Sequence, residues 1–155
     1  MATVGKAQPI GVDRLRTSVL ARDLNFLLAR ANALALAAAS TVLAEHDLKP
    51  RSYSVLALAA DDVLPTQREL AEFLRLDPSQ IVAIVDELEK RGLVERRPDP
   101  TDRRANVVVA TDAGRALFAR AQKSTRAVER ALKAAVAPED RERLGELLRQ
   151  LAFRD

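Results

Sequence analysis

Apolar residues recur at three-and-four spacing from early in the chain: Leu20, Leu24, Leu27, Leu28, Ala31, Leu34, Ala35, Ala38 and Val42. That period predicts one long helix over residues 12–45 with a wide, alanine-rich stripe, suited to a core or to packing against a second helix. Lys49 and Pro50 break the pattern, and a short helix is expected over residues 51–60 with Tyr53, Leu56 and Ala60 on one side. Asp61, Asp62 and Pro65 end it. Thr66 with Glu69 three residues later is a capping-box pair that opens a helix faced by Leu70, Ala71, Phe73 and Leu74. Asp77 followed by Pro78 opens another, with Ile81, Ile84, Val85 and Leu88 on its buried side and Gly92 as its terminator.

After Gly92 the period shortens to that of strands. Residues 93–97 and 106–109 are short extended runs separated by the charged stretch 98–104, which predicts a β-hairpin with a protruding tip. Thr111 or Asp112 then caps a long helix carrying Leu117, Phe118, Ala121, Thr125, Val128, Leu132 and Ala135 at helical spacing. Ala137 and Pro138 interrupt it. A last helix is expected over residues 139–153, with Leu144, Leu147, Leu148 and Leu151 on its apolar side. The fold class is therefore mostly α (α+β), with one small hairpin.

Composition narrows the chemistry. At 155 residues the chain is sized for one domain, and 48% hydrophobic with 30% charged residues fits a folded, soluble protein. There is no cysteine and one histidine, so disulfides, Cys-His zinc sites and thiol redox sensing are excluded. No nucleophile-base pair has a recognisable setting, so no catalytic residue, metal or cofactor is expected. The longest apolar region, 26–43, contains Arg30, Asn32, Ser40 and Thr41, which fits a buried helix better than a membrane span. Residues 1–10 show no apolar leader, and a cytoplasmic protein with a flexible start over residues 1–11 is expected.

Net charge is only +3, but its placement matters more. Between Lys90 and Arg104, the six basic residues Lys90, Arg91, Arg96, Arg97, Arg103 and Arg104 face only Glu95, Asp99 and Asp102. Helix, tight turn, helix and basic-tipped hairpin in that order are the plan of a winged helix-turn-helix, whose second helix enters the DNA major groove. Thr66 and Gln67 start the supporting helix and are expected to contact the DNA there. The reading helix presents Ser79, Gln80, Val82, Ala83 and Asp86 opposite its apolar side; Gln80 suits a paired contact to adenine, Ser79 a base or phosphate, and Val82 and Ala83 a thymine methyl. Arg97, Arg103 and Arg104 belong to the hairpin, whose tip can enter an A·T-rich minor groove, with Asp102 placed to orient an arginine. Arginines on a hairpin edge are otherwise a common guard against aggregation, and the helix-turn-helix directly upstream outweighs that reading.

From about Leu20 onward the sequence resembles the MarR family of bacterial winged-helix transcription regulators, most densely in LDPSQIVAIVDELEKRGLVERRPDPTDRRANVVVATDAG, residues 76–114. The resemblance implies a homodimer built from N- and C-terminal helices (12–48 and 112–155) flanking a winged lobe at 50–111, and a pseudo-palindromic double-stranded DNA target. It matches Arg104 to the wing-tip arginine and Asp102 to the acid that braces it. It also implies a small aromatic or phenolic effector bound between dimer helices and winged lobe, the region of Asn25, Arg30, His46 and Tyr53. Residue by residue, His46 suits a helix C-terminus better than a ligand site, and Tyr53 suits a core. Two departures stand out: Val82 and Ala83 replace the polar and basic residues frequent on the reading helix, and residues 61–89 carry eight carboxylates against Arg68 and Arg75. They favour a second reading, a winged-helix interaction protein or antirepressor that has lost DNA binding.

Overall fold

A computed structural model describes residues 11–102 and 104–154. The chain divides into two compact units, residues 1–37 and 38–155.

In the first unit, short 3-10 helices at Gly11–Thr17 and Val19–Arg22 precede α1, Leu24–Ala44, which runs on into the second. The continuous helix expected from residue 12 is thus broken at Ser18 and Asp23, both extended. Both are residue types whose side chains compete for nearby backbone donors. Asp23 Oδ1 accepts from the Phe26 N–H at 2.8 Å, an N-cap that starts α1 afresh. Most of α1's apolar side chains are solvent-exposed in the single chain, including Leu24, Leu27, Leu28 and Leu34. The expectation of a helix buried within its own fold is therefore corrected: its length and apolarity would suit a membrane span by composition alone, and only 6% of that stretch is buried.

The second unit holds the core. Helix α1 ends where Asp47 turns left-handed (φ 56°) and the Leu48 N–H reaches back to the Leu43 carbonyl. Pro50 at the first turn starts α2, Pro50–Ala60. The capping box forms as expected: Thr66 Oγ1 accepts from the Glu69 N–H while Glu69 Oε2 accepts from the Thr66 N–H, opening α3, Gln67–Leu74. Arg75 (φ 53°) supplies the left-handed residue of the tight turn, and Asp77 caps α4, Pro78–Lys90, by accepting from the Ser79 N–H. Gly92 (φ 67°) closes α4, with the Leu93 N–H on the Leu88 carbonyl.

Strands β1, Val94–Pro98, and β2, Asn106–Ala110, pair antiparallel with Val94 opposite Ala110 and Pro98 opposite Asn106. On the far side of β2, Val108 N–H donates to the Pro65 carbonyl, so the hairpin is stitched to the start of α3. Thr111 caps α5, Asp112–Ala134, through the Gly114 N–H, and its hydroxyl donates to the Gly92 carbonyl at 2.7 Å. Gly114 is required: a Cβ there would lie 1.9 Å from the Leu93 carbonyl oxygen. The last helix begins two residues later than expected, because Pro138–Asp140 forms a 3-10 turn before α6, Arg141–Ala152. Leu43, Val55, Leu56, Leu70, Ile81, Val85, Leu88, Val94 and Val108 are the fully buried centre, so α2, α3, α4 and the hairpin share one apolar support.

Candidate nucleic-acid interface

The reading face is set by the period of α4. Ile81, Val85 and Leu88 are buried, which forces Ser79, Gln80, Val82, Ala83 and Asp86 to the outside, all exposed. Between this face and α3 lies a shallow groove of about 440 Å³, bordered by Gln67, Arg68, Glu72 and Val82. Two hydroxyls expected to serve DNA are already engaged locally. Thr66 Oγ1 donates to Glu69 Oε2 at 2.7 Å, and Ser79 Oγ donates to Asp77 Oδ1 at 2.5 Å. What remains for a further partner is acceptor capacity, one lone pair fewer on Thr66 Oγ1, which already accepts from the Glu69 N–H.

The same bonds tune the acids. Thr66's backbone N–H and hydroxyl hold the Glu69 carboxyl below its ordinary range, against a small opposing effect of burial. The Ser79 hydroxyl and N–H do the same for Asp77. In the wing, the Thr101 hydroxyl and N–H lower Asp99, whose Oδ1 accepts both at 2.7 Å. Asp99 also donates its N–H to the Ala105 carbonyl, so it organises the hairpin turn, a role the sequence reading missed although an Asp two residues before a Thr is a turn signal.

Arg104 is exposed at the tip, and Arg103 lies outside the described residues. Asp102 Oδ1 accepts from the Arg104 backbone N–H at 3.0 Å. Asp102 thus shapes the backbone beneath Arg104; the salt bridge expected of it could equally involve Arg103, which is not among the described residues. Arg97 is exposed on β1 and paired with Glu95.

Five of the eight carboxylates in the acidic stretch that argued against DNA are engaged within the protein as caps or ion-pair partners. Glu69 and Asp77 are caps, Glu87 pairs with Arg91 at 2.8 Å, and Asp86 and Glu89 both pair with Arg96. Arg96, on β1, also donates to Gln67 Oε1 at 3.1 Å. Burial alone would lower the Arg96 guanidinium's pKa, but Asp86 and Glu89 more than offset it and the net shift is upward. Nothing in the linear sequence marked Arg96 apart from its neighbours; only the fold brings Gln67, Asp86 and Glu89 to it.

The three residues expected to meet an effector are distributed. Arg30 is exposed in the first unit; His46 and Tyr53 belong to the second. There His46 Nε2 and Ser124 Oγ are 3.0 Å apart, and the Tyr53 hydroxyl lies 3.1 Å from Thr125 Oγ1 with its ring 5.7 Å from that of Phe118. Both polar tips thus fasten the segment before and within α2 to α5.

Comparison with known proteins agrees with this geometry. The sequence pattern of the MarR family matches residues 46–105. A MarR-family transcriptional regulator from Rhodococcus sp. RHA1 superposes with a TM-score of 0.81 at 36% identity, covering 90% of this chain and 100% of that one. CouR from Rhodococcus jostii RHA1, solved bound to p-coumaroyl-CoA, gives 0.80 at 39% identity over 90% and 98%. A transcriptional repressor also called CouR, solved on a 23-mer DNA duplex, gives 0.78 at 33% identity over 86% and 94%.

Proposed function

This chain belongs to the MarR family of transcriptional regulators, and on that premise we infer that it is a cytoplasmic, homodimeric repressor released from its operator by an aromatic effector. The observation that carries the DNA reading is the exposed face of α4 beside a basic hairpin on one shared core, in a fold common to a repressor solved on duplex DNA. In this reading Gln80 makes the principal base contact, with Ser79, Val82 and Ala83 beside it in the major groove. Thr66, Gln67 and Arg97 lie toward the backbone, and Arg103 and Arg104 enter the flanking minor groove over a turn shaped by Asp102.

The exposed leucines of α1 and of α6 support the dimer, since a large unpartnered apolar surface marks an interaction site. A second copy sets two reading helices about one helical turn apart on a pseudo-palindrome. For the effector we propose an aromatic acid or its CoA thioester, in keeping with the relative solved with p-coumaroyl-CoA, and Arg30, His46 and Tyr53 as residues near it. Arg30 suits a carboxylate or phosphate.

Val82 and Ala83 keep the second reading, a winged interaction protein without DNA binding, in play. Gel shifts on a duplex selected by this protein from a random pool, at about 50 and 200 mM salt, separate the two. A repressor gives a discrete, salt-weakened complex; an interaction protein selects nothing.

A further inference from the structure

Arg96 is where three elements of the reading lobe converge. Its backbone N–H donates to Glu89 Oε1 at 3.1 Å, and its guanidinium reaches Glu89 Oε2, Asp86 Oδ1 and Gln67 Oε1. Asp86 follows Val82 by four residues and Ala83 by three, which places it on the same exposed stripe of α4 as the reading residues. An uncompensated carboxylate there would face the phosphate backbone and repel it. Paired with Arg96 at 2.5 Å, that charge is partly offset within the protein, because the same guanidinium also serves Glu89. The side chain of Arg96 is 23% exposed against 59% for Asp86, so the arginine lies beneath the stripe and the acid lies on it.

The bond to Gln67 has a second consequence. A guanidinium has donors only, so it can face only the carbonyl of the Gln67 amide, and the NH2 is turned away from it. At the start of α3, that leaves a fixed donor rather than an amide free to flip.

We propose that Arg96 is a positioning residue for duplex binding, offsetting one of the two negative charges that Asp86 and Glu89 place on the reading helix and fixing Gln67 as a donor. Arg96 itself need not touch DNA. The inference rests on the DNA-binding reading above and explains how an acidic reading helix meets a polyanion.

The test uses the full-length protein, a duplex selected by it from a random pool and an unrelated duplex of equal length. Arg96→Met keeps the aliphatic stem and removes the charge, and should weaken binding about tenfold or more at low salt, because one or two exposed like charges now face phosphates. The deficit relative to the parent should narrow as salt screens that repulsion, whereas a merely structural defect would persist across the series. Adding Asp86→Asn and Glu89→Gln to Arg96→Met should recover most of the lost affinity. A folded Arg96→Met that binds like the parent, or a triple variant no better than Arg96→Met, overturns the proposal. If Arg96→Met does not fold, Asp86→Asn alone, an exposed change, carries the test: binding severalfold tighter at low salt supports it, and equal or weaker binding overturns it. A parent that selects no sequence contradicts the regulator reading, and this one with it; a parent that selects one, with Arg96→Met binding like it or the triple variant showing no recovery, contradicts only the role of Arg96.

Discussion

Single residues here divide between those that hold the lobe and those that face outward from it, and substitutions should separate the two. Arg104 is exposed and, among the described residues, is held through its backbone N–H to Asp102, so Arg104→Ala should leave the melting curve unchanged. It should weaken operator binding by about 1–3 kcal/mol through loss of a groove contact and a charge, as measured by titration across a salt series. Equal affinity at every salt would remove the wing from the interface. Gly114 is the opposite case. With the Leu93 carbonyl 1.9 Å from where a methyl would sit, Gly114→Ala should destabilise the fold by about 2–3 kcal/mol in urea melts. A stability equal to the parent would mean that the junction between hairpin and α5 can shift. Gly114 closes the segment that resembles the MarR family, and this contact gives that glycine a physical reason. The same clarity was missing for Arg96, because its partners are 7 to 29 positions away and no local pattern links them.

At the scale of elements, the starts and stops of α3, α4 and the hairpin were legible because each is written in short-range chemistry: Thr66 with Glu69, Asp77 before Pro78, Gly92 after Lys90. Asp23 carried the same kind of signal and was passed over, since the apolar period continues through it from Leu20 to Leu24 and periodicity alone does not see a cap. Burial of α1 was not legible at all, because an apolar stripe looks the same whether its partner is in the chain or outside it. The caps also set the response to acid. Glu69, Asp77 and Asp99 have carboxyls held below their ordinary values, so the stability they add is complete above the unfolded range near pH 4 and is lost as pH falls through the lower folded values. Thr66→Ala should cost about 1 kcal/mol at neutral pH, and its stability should fall somewhat less steeply than the parent's between about pH 4 and 2, since Glu69 loses the hydroxyl's share of its shift while the backbone N–H of residue 66 keeps the rest. Urea midpoints at a few pH values decide it; parallel curves would contradict the cap's share in acid unfolding.

For the molecule as a whole, the account joins a dimer, a duplex and an effector by linkage. Removing residues 138–155 deletes the exposed leucines of α6 and should yield monomer or aggregate with poor DNA binding. An unchanged dimer in sedimentation would place the interface elsewhere. An aromatic acid or acyl thioester that releases DNA must bind the DNA-bound protein more weakly than the free protein by the same factor, a reciprocity that calorimetry with p-coumaroyl-CoA and with p-coumarate can check. Neither of those outcomes matters unless the molecule reads sequence. The most direct measurement is therefore the affinity of the purified dimer for a duplex it has selected, set against an unrelated duplex over a range of salt. The account predicts a preference of about a thousandfold or more near physiological salt, with affinity falling steeply as salt rises. Equal binding to both duplexes, or none to either, would contradict it.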